Sequence, residues 1–376
     1  MAKRTPPTVF LTGATGAIGS RVLEHYLQRG SEVLVLVRPR ERQSSAERIA
    51  ALLDAAKLPA EPRRRAHVVE GSIEEPHCGL GRLERERVIG AADLFIHSAA
   101  VTHLGAGAEE CHRANVLGTE NALEFARACQ RQGRLRRFAY LSSYAASGTA
   151  RSGFFAEDSL PARPAFANEY ERTKYQAEQR VREELAAGMP VVIFRPSVTV
   201  GDTKTGRIAS FNLFYQAVRI FGSGMLSHWP DLRQRKVNIV PVDYVARAIR
   251  RGLEVAWALG RTFHLVSRNG CLLKDLFDLV KAFPHLRIPK LVPMAQWSLH
   301  LLSRKEQAIH RALETYLLPY LNDLRLETRN AERLLALPVI NPTFLRRVLE
   351  YAVKAGYLPA EIFGPLSRGV GTTVAG

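Results

Sequence analysis

Val9-Phe10-Leu11-Thr12-Gly13-Ala14-Thr15-Gly16-Ala17-Ile18-Gly19 is an apolar run that ends in a glycine-rich turn and continues with helical spacing. Glycines there let the chain turn sharply, let backbone approach a pyrophosphate, and let the following helix pack close to the strand. The N-terminus of that helix points N–H groups at phosphate. A glycine motif alone is weak evidence, but this one has a strand before it and a helix after it, as the first unit of a βαβ pattern. Thr12, Gly13, Thr15, Gly16, Ala17, Ile18 and Gly19 are therefore the expected dinucleotide contacts.

Outward from this turn, short β-branched runs at 8–11, 32–37, 67–69, 93–97, 137–141 and 191–195 alternate with helical periodicity at 16–29, 46–56, 114–130 and 169–187. Such alternation predicts an α/β fold, a doubly wound Rossmann-type parallel sheet. It occupies residues 1–205 and carries the catalytic residues. After about residue 205 the rhythm breaks, and 206–376 reads as a smaller, mostly helical C-terminal substrate lobe. Strands at 237–239 and 262–266 are expected to return to the main domain, and 304–358 to be mostly helical. Residues 288–302 read as an amphipathic helix packed on the protein, 161–164 as loop and 369–376 as a frayed tail.

The chain has 376 residues, 46% of them hydrophobic, enough for one large core with an attached lobe. A formal charge of +17 points to anionic partners such as nucleotide phosphates, an acidic carrier protein or a membrane surface. Its arginines lie in short scattered runs without a nucleic-acid-binding pattern, so no nucleic acid is expected. Cys78, Cys111, Cys129 and Cys271 form no metal-type pair or disulfide framework, which fits a reducing cytoplasm. The N-terminus runs straight into a strand without a signal-peptide stretch, and no run reaches the roughly 18 to 20 apolar residues of a membrane span. At most, weak peripheral membrane contact is expected.

The second strand ends at Val37, where an NAD enzyme offers Asp or Glu to the ribose hydroxyls, and the next residue is Arg38, followed by Arg40. A guanidinium can clasp a 2′-phosphate, so the expected cofactor is NADPH. Ser72 and Ile73 fall where an adenine contact belongs, and Ser98, Ala99 and Ala100 are small where backbone must lie close to the dinucleotide. Ser142-Ser143 ends another strand, and Tyr170 and Lys174 sit four apart on a helix, hence on one face. A free tyrosine with a pKa of about 10 is a poor acid–base group at neutral pH, and nearby positive charge from Lys174 and an oxidised nicotinamide is expected to lower it. Tyr170 would pass a proton to a developing alkoxide while hydride arrives, with Ser143 bonding the same oxygen.

Together, residues 12–19, 97–100, 115–119, 142–143, 170–174 and 195–197 resemble the extended short-chain dehydrogenase/reductase family, over roughly residues 8 to 270. The resemblance implies that Asn115 supports a proton-relay water and the site architecture, and that Pro196, Ser197 and Val198 lie against the nicotinamide carboxamide. Ser72 departs from the pattern, since many members carry Asp there. Within the family, Leu36-Val37-Arg38 with Ser45-Ala46-Glu47-Arg48-Ile49, residues 195–206 and residues 237–245 resemble the thioester reductase and fatty acyl reductase branch, the male-sterility type.

That branch implies hydride reduction of an acyl thioester, on coenzyme A or a carrier protein, to aldehyde or alcohol. Lys204, Arg207, Arg233, Arg235 and Lys236 are candidates for the anionic carrier. Phe154, Phe155, Phe211, Phe214, Tyr215, Phe221, Met225 and Trp229 are candidates for an acyl pocket. Reduction or epimerisation of a small ketone, sterol-like alcohol or nucleotide sugar stays open, as does a cofactor-binding scaffold without turnover, against which Ser143, Tyr170 and Lys174 argue.

Overall fold

The computed structural model describes residues 5–103, 105–149, 153–281, 288–317, 320–321 and 323–358. Seven strands form one parallel sheet in the order Thr262–Leu265, Val191–Pro196, Arg137–Leu141, Leu94–His97, Val9–Thr12, Val33–Val37, Ala66–Glu70. The order reverses direction between Val9–Thr12 and Leu94–His97, which opens the crevice where such sheets bind ligands, outside the strands' carboxyl ends. Most of the strands are continuously apolar because helices cover both faces. On one face the helices Ala17–Leu27 and Val242–Glu254 pack around Val35, Ile96 and Phe194. On the other, Gly118–Arg131 and Glu169–Ala186 close over Phe95, Phe138 and Ile193.

The second half of the chain is divided between the sheet and a separate core. Helix Val242–Glu254 and residues Ala331, Leu334 and Leu337 belong to the sheet's own core. Helices Leu213–Gly222, Leu273–Lys281 and Pro342–Lys354 build a second cluster around Phe214, Trp229 and Val348. Residues 288–302 are not the helix expected. Lys290–Val292 is a strand parallel to His228–Pro230, followed by single turns at Met294–Gln296 and Leu299–Leu301. Pro289 and Pro293 bracket that strand, and proline bars helix continuation before and through itself. Helix Arg82–Ala91 had no clear apolar stripe to announce it, and within it only Val88 and Ile89 are buried. The tail at 369–376 lies outside the described residues.

Under the site the catalytic helix is tied to its neighbours by charge. Arg195 is fully buried and grips Glu178 with Nε (2.9 Å) and Nη2 (2.5 Å). It also donates to the carbonyls of Ala156 (3.1 Å), Glu157 (3.2 Å) and Ser159 (2.6 Å). Burial works to raise the pKa of Glu178, but Arg195 overrides it and holds the carboxyl down at about 2. A carboxyl held below its usual 4.5 adds stability above that value and loses it as pH falls toward 2. Arg195→Met leaves the buried Glu178 carboxylate with only Arg182 (2.9 Å) and Ser142 (2.6 Å), so urea unfolding at pH 7 should show a loss of about 3 kcal/mol. The deficit should shrink at pH 3, where Glu178 protonates in the variant; an equal deficit at both pH values would refute the assignment.

Candidate active site

The first turn is built as a dinucleotide cradle. Gly13 has φ +73°, and a Cβ there would lie 2.6 Å from the backbone N of Ala99. At Gly19 it would lie 2.1 Å from the carbonyl O of Gly13, so helix and turn meet only through glycine. Helix Ala17–Leu27 begins at Gly16 with no side-chain cap and no acidic residue in its first turn. Its leading N–H groups and positive dipole end are left for an anion. Those are the features a pyrophosphate needs, and the residues fit a dinucleotide.

Two cavities meet over this turn. One, of about 230 Å³, is lined by Thr12, Gly13, Thr15, Arg38, Ser72, Ile73 and Ala99. The other, of about 270 Å³, is lined by Ala17, Ile18, Ser143, Tyr170, Lys174, Pro196, Ser197 and Val198. Gly16, Ser98 and Ala100 line both, so the cleft is continuous. Gly19 and Asn115 line neither cavity.

At the outer end three arginines converge. Arg38, Arg40 and Arg48 share the first cavity, and Arg48 donates to the carbonyl of Arg38 at 2.6 Å. The Arg48 pKa is lowered by burial and then by repulsion from Arg40 and Arg38, the signature of a pocket short of an anion. Glu74 stands at its rim, 2.8 Å from Arg38 and 2.8 Å from Arg113. Ser72 accepts the Glu74 N–H at 3.2 Å and so shapes this turn. Arg48 and Glu74 acquire meaning only in three dimensions, because they reach Arg38 from a helix and from a later strand end.

At the inner end Tyr170 and Ser143 line the same cleft, and Ser143 Oγ accepts the Ala145 N–H at 3.1 Å. Asn168 caps the helix Glu169–Ala186 through the Glu171 N–H, which sets Tyr170 in its first turn. Lys174, one of the two charges expected to act on the tyrosine, donates to the carbonyl of Leu141 (2.6 Å) and the hydroxyl of Tyr140 (3.2 Å). Burial of the Tyr170 hydroxyl dominates and raises its pKa, against a lowering by Ser143. Burial also pulls Lys174 down to about 7, with Glu178 opposing.

Behind the cleft runs a buried polar chain. His97 lies 3.2 Å from Thr119 Oγ1 through Nε2 and 2.8 Å from Thr12 Oγ1 through Nδ1. Burial, then Lys174, holds His97 near 3, so its ring is neutral. Thr119 already donates to the Asn115 carbonyl at 2.7 Å, which assigns the proton of His97 to Nε2 and makes Nδ1 the acceptor from Thr12. Thr12 Oγ1 in turn accepts the N–H groups of Ser98 and Ala99.

Asn115 lies in a π-helical turn, His112–Leu117, not in the regular helix expected. Its amide donates to the Val101 carbonyl (3.1 Å) and Thr173 Oγ1 (3.0 Å) and accepts the Val101 N–H (2.7 Å). That side chain ties the loop after Leu94–His97 to the catalytic helix. Tyr144 and Ser197 are two further cleft residues, and their buried hydroxyls have no protein partner among the described residues.

The proposed carrier contacts are mostly spoken for. Arg207 pairs with Glu24 (2.5 Å), Arg233 with Asp231 (2.7 Å) and Arg235 with Asp323 (2.6 Å), while Lys204 and Lys236 are exposed. The aromatic candidates separate as well. Phe154 and Met225 face solvent, Phe155 packs under the Arg195 guanidinium, and the Tyr215 hydroxyl accepts the Gly201 N–H in the core. Phe211 lines the catalytic cleft, and Phe214, Phe221 and Trp229 line an adjoining apolar cavity. Among the described residues there is no cluster able to hold a metal and no helix long and apolar enough to cross a membrane.

Residues 11–249 match the family described as male sterility protein, an NAD-binding domain. A nonribosomal peptide synthetase of Aspergillus flavus is 28% identical over 274 residues, 69% of this chain and 26% of that protein. The L-2-aminoadipate reductase large subunit of Eremothecium gossypii is 30% identical over 266 residues, 65% of this chain and 19% of that protein. The chain thus spans about a quarter or less of these two relatives. The terminal R domain of the myxalamid PKS-NRPS pathway superposes with a TM-score of 0.80 at 25% identity, over 96% of this chain and 93% of that domain. The chain belongs to the male sterility protein family of NAD-binding domains, within the extended short-chain dehydrogenase/reductases, which are NAD(P)-dependent oxidoreductases.

Proposed function

We propose that this protein is an NADPH-dependent reductase that converts an acyl thioester to an aldehyde. The observation that carries the reading is one continuous cleft that brings Tyr170 and Ser143 together with the glycine turn and the three-arginine pocket. A neutral phenol is the form a reductase needs, because reduction asks the enzyme to give a proton. Likeness to a terminal R domain and to an aminoadipate reductase favours a thioester as the carbonyl.

In this reading Gly13, Thr15 and Gly16 hold the pyrophosphate, Ser72 and Ile73 flank adenine, and Arg38, Arg40 and Arg48 clasp the 2′-phosphate. Ala17, Ile18, Pro196, Ser197 and Val198 bound the nicotinamide, and the unpartnered Ser197 hydroxyl meets its carboxamide. The nicotinamide supplies a hydride to the thioester carbon. Ser143 and Tyr170 hold the oxygen as it gains charge, and Tyr170 gives it a proton. The phenolate takes that proton back as the carbonyl re-forms and the carbon–sulfur bond breaks, and the departing sulfur takes one proton from solvent. One hydride and one proton thus give aldehyde and free thiol; a second round on the aldehyde gives the alcohol. Asn115 acts as a positioning residue. The +17 charge suits a phosphate-bearing coenzyme A or acidic carrier protein.

With NADPH and acyl-coenzyme A, thiol release should match aldehyde detected by mass; ketone reduction without thiol would overturn the reading. Tyr170→Phe should cut turnover by roughly 10²–10⁴-fold while NADPH still binds with its original affinity, measured by fluorescence titration. Arg38→Asp sets a second carboxylate beside Glu74 and removes a charge-assisted bond. The NADPH-to-NADH ratio of kcat/KM should fall by about 10- to 100-fold, and an unmoved ratio would place the 2′-phosphate elsewhere.

A further inference from the structure

Beside the catalytic cleft lies a second cavity, of about 60 Å³, which shares Val198, Leu213 and Tyr320 with it. Its depth is formed by Phe214, Phe221, Trp229, Leu276, Phe277 and Val280. Among the described residues no charged side chain lines it. Interiors are close-packed, and an empty apolar void destabilises the fold that keeps it. Apolar voids also stay dry, so water is a poor tenant. A cavity with this lining, adjoining the cleft of Ser143 and Tyr170, suits the apolar part of a substrate.

From this continuity and lining we propose that the cavity is the subsite for an uncharged, unbranched acyl chain, and that it sets the substrate's length. The proposal rests on the thioester reading. At about 10–15 Å³ per water-sized occupant, the cavity has room for roughly four to six of them, so only a short stretch of chain fits. With the carbonyl held at Ser143 and Tyr170 and the first methylenes passing Val198 and Leu213, an acyl group of medium length reaches the cavity and a long one overfills it. A terminal carboxylate or ammonium would be buried there without a partner, so a charged tail is rejected. This chain then differs from its aminoadipate-reductase relative in the acyl group it accepts. Ala217, buried on helix Leu213–Gly222 and lining the cavity, is the length-determining position because any larger side chain takes the chain's place.

The test compares N-acetylcysteamine thioesters of butyrate, octanoate, palmitate and adipate by kcat/KM for thiol release. Octanoyl should lead, and adipyl, with its terminal carboxylate, should trail it by at least about 100-fold. Ala217→Phe should lower the octanoyl-to-butyryl ratio at least ten-fold, and Ala217→Leu, the milder change, should lower it less. Thiol release that ignores chain length and tail charge, or a ratio unmoved in both variants, would overturn the assignment. An octyl thioether of N-acetylcysteamine cannot be reduced and reads binding alone. It should shift Trp229 fluorescence saturably, and the shift should vanish in Trp229→Phe. If this shift appears while no thioester releases thiol, the cavity assignment stands and the reductase reading fails. If thiol is released but the thioether leaves Trp229 silent, the reverse holds.

Discussion

Most of the site hangs on the buried pair between Glu178 and Arg195. Glu178 lies one turn after Lys174 on the catalytic helix, and Arg195 immediately precedes the Pro196-Ser197-Val198 wall of the cleft. Glu178 also accepts from Ser142 Oγ at 2.6 Å, so the residue before Ser143 is held by the same carboxylate. Through the carbonyls of Ala156, Glu157 and Ser159, Arg195 pins the segment that follows the Ser143 turn. A hydrophobic replacement of similar volume could match this pair for stability. It could not aim a serine, a lysine and a strand end at one another, which is the reason to accept the desolvation cost.

The second constraint runs laterally. Thr12, His97 and Thr119 form one hydrogen-bonded line from the glycine turn, Thr119 donates to the Asn115 carbonyl, and the Asn115 amide bonds Thr173 on the helix of Tyr170. Each member is buried, so a rotation along the line leaves a polar group stranded. The glycine turn and the helix of Tyr170 are therefore registered by more than the sheet that carries them.

What could be read from the chain is what local spacing dictates. Glycines at 13, 16 and 19 can be understood one turn at a time, and Tyr170 and Lys174 share a face because helices repeat every 3.6 residues. Asn115 was recognisable as a residue but not as the centre of a π-helical turn, since no periodicity distinguishes that from a helix. Glu178 looked like any surface glutamate on a polar helix. Its signal lay elsewhere, in a lone arginine ending the apolar strand Val191–Pro196, which must find an acid once buried. Glu74 was equally silent, being 36 residues from the Arg38 it meets, and Arg48 stood in a recognisable stretch without showing that it turns back onto Arg38. The helix expected at 288–302 failed because apolar content was weighed above two prolines.

The apolar cavity is the hardest feature to see in sequence, for a physical reason. Its walls come from residues near 198, 214–221, 229, 273–280 and 317–321, each in a run whose hydrophobicity is fully accounted for by packing in the lobe core. A binding site of this kind is a place where packing stops, and composition records only what packs. Reaction chemistry in the sheet domain is written in polar residues with few alternatives, and it survives in local motifs. Selectivity in the lobe is written in the volumes of interchangeable apolar side chains such as Ala217 and Val218. On the reading proposed for this chain, the polar residues around Tyr170 can therefore stay fixed while the accepted substrate changes by single substitutions among the apolar residues of the lobe.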